Sequence, residues 1–365
     1  MKKVISVVGA RPNFIKIAPI HKAFQSINNS VKHLICHTGQ HFDEKMSKIF
    51  FEELEMPEPD FYLGISGGSH AEQTAGIMVE FEKVLLKEKP DLIIVPGDVN
   101  STLACSLVAS KLGIPIAHVE AGLRSFDREM PEEINRIVTD VLADYLFVSE
   151  PSGLVNLKNE GISHSKLYFV GNVMIDSLVH YLPRVNQSAV LNQLNLLPQE
   201  YILVTFHRPS NVDDPHNLQK IIKLLNNLSN TRKVVFPIHP RTRKNLEINQ
   251  QSNLFTKNVL LIDPVGYIDF LSLIKDSGLI ITDSGGIQEE STYLGVQCIT
   301  VRKNTERPVT VELGTNQLVG TDLDKVSEIA MNVLTGTKKA GKIPELWDGK
   351  AAERIVKILL GRFFK

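Results

Sequence analysis

At 365 residues the chain is too long for one small core and suits two domains. Its 43% hydrophobic content is that of an ordinary globular protein, and 40 Lys and Arg against 41 Asp and Glu leave a net charge of −1. That balance argues against nucleic acid or an acidic membrane surface as the main partner. Cys36, Cys105 and Cys298 lie far apart without metal or disulfide spacing, and read as buried thiols in a reducing compartment. The start, "MKKVISVVGARPNF", has its apolar run cut by Arg11 and Pro12, so a signal peptide is not expected. No stretch has the length of a membrane span, and the chain is expected to be soluble and cytoplasmic.

Taken in order, "KVISVV", "VKHLIC", "DLIIVP", "IPIAHV", "DYLFVS" and "KLYFVG" read as buried strands. Between them "NFIKIAPIHKAFQSI", "AEQTAGIMVEFEKVLLKEK" and "STLACSLVASKLG" carry apolar residues at helical spacing. Near-continuous apolar strands alternating with helices predict a parallel sheet covered on both faces. After Gly171 the pattern restarts with "YILVTF", "KVVFPI", "NVLLID", "SGLIITD" and "QCITV". Helices are expected at "DPHNLQKIIKLLNNL" and "YIDFLSLIKD", and the polar "VNQSAVLNQLNLLPQE" reads as a hinge with a short helix. The expected fold is α/β, with two doubly wound Rossmann-like domains facing a cleft at the carboxyl ends of their strands. The domains are placed at 1–172 and 173–349, with an amphipathic C-terminal helix, 350–365, docking back on the first.

In such folds the loops after strands carry the chemistry. "VVGARPNFIK" has Gly9 but lacks the glycine spacing of a dinucleotide fingerprint, which disfavours a nicotinamide cofactor. Arg11 and Lys16 read equally well as a phosphate grip or as solvated surface cations. In "VPGDVNST" Gly97 permits a tight turn, Asp98 sits at the strand tip, and Asn100, Ser101 or Thr102 can cap the next helix. Taken alone, Asp98 also reads best as a cap.

The run "AHVEAGLRSFDREMPEEINRIV" delivers a buried strand into a dense mixture of acids and bases. Pro131 suits the first turn of a helix and puts Glu132 and Glu133 at its positive end, with Arg136 spaced to pair with Glu132. Glu120, at the tip of a buried strand, is harder to read as surface decoration. Carboxylates converging there would have their affinities for protons pushed apart into one acid and one base.

In the second half, "TFHRPSN" places His207 and Arg208 after a strand, and "PIHPRT" does the same for His239. Each histidine reads as a ligand donor or as a buried tautomer with a backbone partner. "LIITDSGGIQEE" ends a strand at Asp283, follows it with Ser284, frees the backbone at Gly285 and Gly286, and starts a helix. That is the pattern of a phosphate or diphosphate site at a helix N-terminus, with Glu290 one turn in for ribose hydroxyls. "RKNTERP" adds Arg302 and Arg307.

Together "GARPNFIK", "HTGQH", "PGDVNST", "HVEAGLRS", "MPEEINR", "VGNVMIDS", "TDSGGIQEE" and "TERPVT" resemble, in order and over almost the whole chain, the non-hydrolysing UDP-N-acetylglucosamine 2-epimerases. The resemblance implies the glycosyltransferase-B architecture, a homodimer, a UDP-sugar substrate, and no cofactor or metal. It implies that Arg11, Ser284, Gly285, Gly286 and Glu290 hold UDP and that Phe270 offers backbone bonds to uracil. Asp98, Glu120 and Glu132 would form the acid–base set. Lys16, His207 and Arg307 would serve the diphosphate or the sugar, and Arg136 the substrate.

The implied reaction is reversible inversion at sugar carbon 2 through loss and return of UDP. Two departures stand out. "HRPSN" replaces the family's "HRRE", and "FDEK" follows "GQH" where an arginine–glutamate pair is usual. Both fall where bacterial members hold a second UDP-sugar as activator, which puts activation and the exact sugar in question. The competing readings are a sister epimerase of another UDP-2-acetamido sugar, in deoxy or uronic acid form, a glycosyltransferase of the same architecture, and a silent UDP-sugar sensor.

Overall fold

The computed structural model describes residues 1–27, 31–39 and 53–363, without the side chain of Arg11. Gln40 and the "FDEK" stretch therefore lie outside the described residues. By contact the chain forms two units, Met1–His180 with Glu345–Lys365, and Tyr181–Pro344.

The first unit is built on seven strands: β1 (Lys2–Val8), β2 (Val31–His37), β3 (Phe61–Tyr62), β4 (Leu92–Pro96), β5 (Ile116–Ala121), β6 (Tyr145–Val148) and β7 (Leu167–Phe169). They run parallel in the order β3-β2-β1-β4-β5-β6-β7. The order reverses direction between β1 and β4, and such a reversal is where an open α/β sheet leaves room for a ligand. β4 and β5 are buried along their whole length, as is β1 from Val4 onward, because helices cover the sheet. Ile5, Val7, Ile93 and Val95 pack with Phe81 and Val108 on one side.

The second unit repeats the design with β8 (Tyr201–Thr205), β9 (Lys233–Pro237), β10 (Val259–Ile262), β11 (Leu279–Thr282), β12 (Cys298–Thr300) and β13 (Asn316–Leu318). Their order is β10-β9-β8-β11-β12-β13, and the reversal falls between β8 and β11. Ile202, Val204, Phe236, Leu279 and Ile281 form its core with the helices Pro215–Leu228 and Leu323–Leu334. All three cysteines are buried and free, and burial pushes each thiol up. Among the described residues no helix is long and apolar enough to cross a membrane.

The helix Val173–Val185 straddles the division between the units. Its first eight residues belong to the first unit because their side chains are tied there. Ser177 Oγ donates to the carbonyl of Ile15 at 2.5 Å. The Asp176 carboxylate accepts from the amides of Ala351 at 3.1 Å and Ala352 at 2.6 Å, capping the helix Ala351–Arg362. That helix packs against Arg11–Gln25, and the Trp347 indole just before it donates to the carbonyl of Ser149 at 3.0 Å.

Burial raises Asp176 from 3.8 to about 6, against the pull of those two amides. Between those values the folded chain holds a proton that the unfolded chain does not. This group therefore adds stability as pH falls from about 6 toward 3.8. Asp176→Asn is expected to erase that slope and, by losing a cap acceptor, to destabilise the first unit by ~1 kcal/mol in urea unfolding. An unchanged midpoint and pH slope would remove Asp176 from this role.

Candidate active site

Glu120 reaches its place through an irregular strand end. The register of β5 on β6 shifts between Val119 and Ala121, and Glu120 between them has φ 73°. A left-handed backbone at a non-glycine residue costs about 1–2 kcal/mol, and such positions cluster where a side chain must be aimed. Here the turn carries the Glu120 carboxylate into a buried ion pair with Lys16 of the helix Arg11–Gln25. The Glu120 and Lys16 side chains are only 6% and 7% exposed. Gly97 makes room for them: a Cβ there would sit 2.9 Å from Lys16 Nζ and 3.6 Å from Glu120 Oε2, and its φ is 67°. Asn13 stitches the neighbouring loops together. Its Oδ1 accepts from the amides of Gly9 and Ala10, and its Nδ2 donates to the carbonyl of Pro96.

Asp98 follows Gly97, two residues before the helix Asn100–Lys111. The helix Asn100–Lys111 begins after Val99 without a side-chain cap. Asn100 Nδ2 donates to Gln73 of the helix His70–Glu88, and the Thr102 hydroxyl donates to the carbonyl of Pro96. Asp98 Oδ2 accepts from Arg136 Nη2 at 2.5 Å, and its carbonyl from Asn135 Nδ2 at 2.8 Å.

Arg136 also pairs with Glu133, at 2.7 Å, rather than with Glu132. The turn of the helix Pro131–Leu142 explains the difference, since adjacent residues point about 100° apart and Glu133 is the one facing the loop after β5. Buried to 1% exposure, Glu133 accepts from the Ser125 amide and hydroxyl and from the Phe126 amide, each at 2.9 Å. It is a clamp that folds the loop and fixes Arg136, and through Arg136 it orients Asp98. Glu132 is half-buried and makes no hydrogen bond or ion pair among the described residues.

The first unit thus gathers Lys16, Asp98, Glu120 and Arg136 at the carboxyl ends of β4 and β5. Asp98 and Glu120 are each held against a cation, and Glu132 stands on the adjoining helix turn. Such a set can take a proton from one face of a substrate and return one to the other.

In the second unit the organising group is Asp283, fully buried just past β11. Its carboxylate accepts from the amides of His207 (3.1 Å) and Arg208 (2.9 Å), from Asn211 Nδ2 (3.0 Å), and from the ring of His207 through Nδ1 (3.0 Å). Burial alone would raise this carboxyl, but His207, the Arg208 amide and Asn211 hold it below the usual range. The "HRPSN" loop is thereby sewn to the "DSGG" loop. The His207 ring lies 5.6 Å from that of His239. His239 is itself a cap: its Nδ1 accepts from the Arg241 amide and starts the helix Pro240–Ile248.

Ser284 stands at the N-cap of the helix Gly285–Leu294 without a side-chain cap bond, and Gly286 follows in its first turn. A Cβ on Gly285 would lie 2.7 Å from Arg307 Nη1, so only glycine lets the guanidinium approach the helix start. Arg307 is steered by Glu289 (3.0 Å) and Glu306 (3.1 Å), and Glu306 also pairs with Arg302 (2.8 Å). First-turn amides beside a guanidinium are a place for an anion. Glu290 is buried one turn in. Phe270 lies in the helix Tyr267–Lys275, where its amide donates to the carbonyl of Gly266 at 3.0 Å. Arg11 opens its helix, and its side chain lies outside the described residues.

Sequence reasoning missed the clamp at Glu133 and the hub at Asp283. Position offers a signal for Asp283, an acid directly after an apolar strand and two residues before a glycine pair. For Glu133 the sequence has no signal, since Glu132 beside it is of the same type.

Two doubly wound parallel sheets, one ending in paired carboxylates and cations and the other in a glycine–arginine anion loop, place the chain among proteins of two Rossmann-like domains, as in the glycosyltransferase-B architecture. The model of a family described as UDP-N-acetylglucosamine 2-epimerase matches residues 24–360, and the chain belongs to that family. It is 46% identical over 368 residues to a UDP-N-acetylglucosamine 2-epimerase of Methanocaldococcus jannaschii, covering 98% of each chain. It is 44% identical to a UDP-2,3-diacetamido-2,3-dideoxy-D-glucuronate 2-epimerase of Pseudomonas aeruginosa, over 98% of this chain and 99% of the other. A crystal structure of the M. jannaschii UDP-GlcNAc 2-epimerase in complex with UDP-GlcNAc and UDP superposes with a TM-score of 0.90 at 45% identity, covering 99% of this chain and 100% of that one.

Proposed function

We propose that the protein is an isomerase that reversibly converts UDP-N-acetylglucosamine to UDP-N-acetylmannosamine by elimination and re-addition of UDP. The observation that carries this reading is the buried Lys16–Glu120 pair beside the Arg136–Asp98 pair. Carbon 2 of the sugar bears a proton that no carbonyl acidifies, so removing it alone is too costly. If the bond from carbon 1 to the diphosphate breaks as that proton leaves, the electron pair departs with UDP. Cations and helix amides stabilise charge developing there. The intermediate is a 2-acetamidoglucal. A carboxylic acid then returns a proton to carbon 2 on the opposite face while UDP re-adds to carbon 1.

In this reading Asp98, Glu120 and Glu132 are the acid–base set, with Lys16 and Arg136 orienting them. Ser284, Gly285, Gly286 and Arg307 hold the diphosphate, Glu290 the ribose, and His207 the diphosphate or the sugar. The family resemblance also extends to a homodimer, which light scattering tests.

In deuterated water the epimerised sugar is expected to carry deuterium at carbon 2, with total UDP-sugar recovered. Product that keeps its original hydrogen would sink the elimination route. The P. aeruginosa relative keeps a second reading open, a sister UDP-2-acetamido sugar as substrate. Deuterium entering that sugar but not UDP-N-acetylglucosamine would favour it.

Pro209 bears on activation. It stands at the first position of the short helix Pro209–Val212, where the "HRRE" members carry an arginine. Arg208 remains, but its Nε donates to the carbonyl of Asp283 at 3.1 Å. The reverse reaction from UDP-N-acetylmannosamine is therefore expected to start without a lag and without added UDP-N-acetylglucosamine. A lag relieved by a trace of UDP-N-acetylglucosamine would show that activation survives on other residues.

A further inference from the structure

We infer that His118 is a buried imidazolium that positions the Asp98 loop for the carbon-2 chemistry, an inference that rests on the epimerase reading above. His118 sits in the middle of β5, fully buried and level with Val95 of β4. Its Nδ1 lies 2.6 Å from Asp140 Oδ1 and its Nε2 lies 2.8 Å from the carbonyl oxygen of Gly97. A carboxylate and a peptide carbonyl can only accept. Each ring nitrogen must therefore donate, which needs both protons and makes the ring a cation. A neutral ring would turn a lone pair toward either the carboxylate or the carbonyl.

The surroundings balance that charge. Asp140 is also fully buried, and its second oxygen accepts from the Gly122 amide at 3.1 Å and pairs with Arg124 Nη2 at 2.7 Å. Arg124 is in turn gripped by Glu160 through two bonds of 2.8 and 2.7 Å. Glu160, Arg124, Asp140 and His118 thus form an alternating chain of charges that ends on a backbone carbonyl. Beyond Gly97 stand the Lys16–Glu120 and Arg136–Asp98 pairs. Burial would raise the Asp140 carboxyl, yet His118 and Arg124 bring it below the ordinary carboxylate range.

The carbonyl held by His118 belongs to the peptide bond joining Gly97 to Asp98. With φ at 67°, Gly97 is a residue at which that peptide plane can swing. The Gly97 amide is fixed to the carbonyl of Val119 at 2.9 Å, so the ring bond secures the other end of the residue. Asp140 meanwhile holds the Gly122 amide, two residues past Glu120. One buried ion pair thereby sets the backbone under both carboxylates. His118 touches no reacting atom and acts through Gly97 and Asp98, which makes it a positioning residue.

The test uses the full-length protein labelled with ¹⁵N-histidine. Both ring nitrogens of His118, assigned by their loss in His118→Gln, are expected to appear protonated at neutral pH. Asp140→Asn keeps an acceptor for Nδ1–H but removes the charge that holds the second proton. Its kcat is expected to fall about tenfold or more. KM and UDP affinity are expected to stay within about twofold, since the diphosphate groups lie in the other unit. An unprotonated ring nitrogen in the wild-type spectrum overturns the imidazolium, and that spectrum decides the point even if Asp140→Asn does not fold. Wild-type kcat in Asp140→Asn, or a loss that appears in KM and UDP affinity rather than in kcat, overturns positioning through this pair. If the wild type exchanges carbon-2 hydrogen in no UDP-2-acetamido sugar, the epimerase reading fails together with the positioning role of His118, while the spectrum still reports its protonation.

Discussion

Glu120→Gln is expected to lower turnover by about two orders of magnitude or more while leaving UDP affinity nearly unchanged. The substitution keeps the size of the side chain and its place at the end of β5. It removes the ability to accept a proton and leaves the ammonium of Lys16 without its carboxylate partner. A purely structural ion pair predicts a different pattern. In that case Lys16→Met combined with Glu120→Gln would recover activity, because replacing both members of a buried pair is often neutral. For an acid–base role the double variant stays as slow as the single one. Glu132→Gln is expected to lose a similar factor for a different reason. Glu132 has no side-chain partner among the described residues, so the substitution breaks no ion pair with them. Near-normal turnover in either variant would remove that residue from the catalytic set. Comparing single-turnover rates with UDP titrations separates the chemical step from binding.

The parallel sheets were legible because β1, β4, β5, β8 and β11 are largely buried and so read as mostly apolar runs between helices. The edge strands β3 and β13 were not. Phe61–Tyr62 and Asn316–Leu318 are two and three residues long, too short for any period to show. In the first unit the acidic and basic residues were visible as a cluster, but their pairing was not. Helical spacing linked Arg136 to Glu132, whereas the loop after β5 draws in Glu133 and the tip of β4 supplies Asp98. That partner lies 38 residues away, and only the sheet brings it close. The left-handed backbone at Glu120 was equally hidden, because nothing in "HVEAGL" requires a shifted register. His118 reads in sequence as one more buried strand residue, and its charge follows only from having two acceptors in space.

A single change at Asp283 is expected to cost the second unit several kcal/mol of stability. Its carboxylate is fully buried and serves four donor groups from the loop after β8. Asp283→Asn keeps the shape but turns an amino group toward those donors. Leaving buried, charge-assisted hydrogen bonds unmade costs ~3 kcal/mol, more than the ~1 kcal/mol expected for Asn211→Ala, which removes one neutral donor. The wild-type carboxyl is held below its usual range by its donors. Its contribution is therefore fully present above the unfolded value of 3.8 and is lost as pH falls through the folded one, so the wild type has an acid-sensitive step that Asp283→Asn lacks. Amide hydrogen exchange reads the mechanism directly. The His207 and Arg208 amides are expected to be protected in the wild type and to exchange rapidly in the variant, while amides in the middle of β8 and β11 stay protected. UDP binding should weaken in step, because the loop that carries Ser284 and Gly285 is released along with "HRPSN". If the His207 and Arg208 amides keep their protection in Asp283→Asn, Asp283 does not hold this loop, and the order of the anion site has another source.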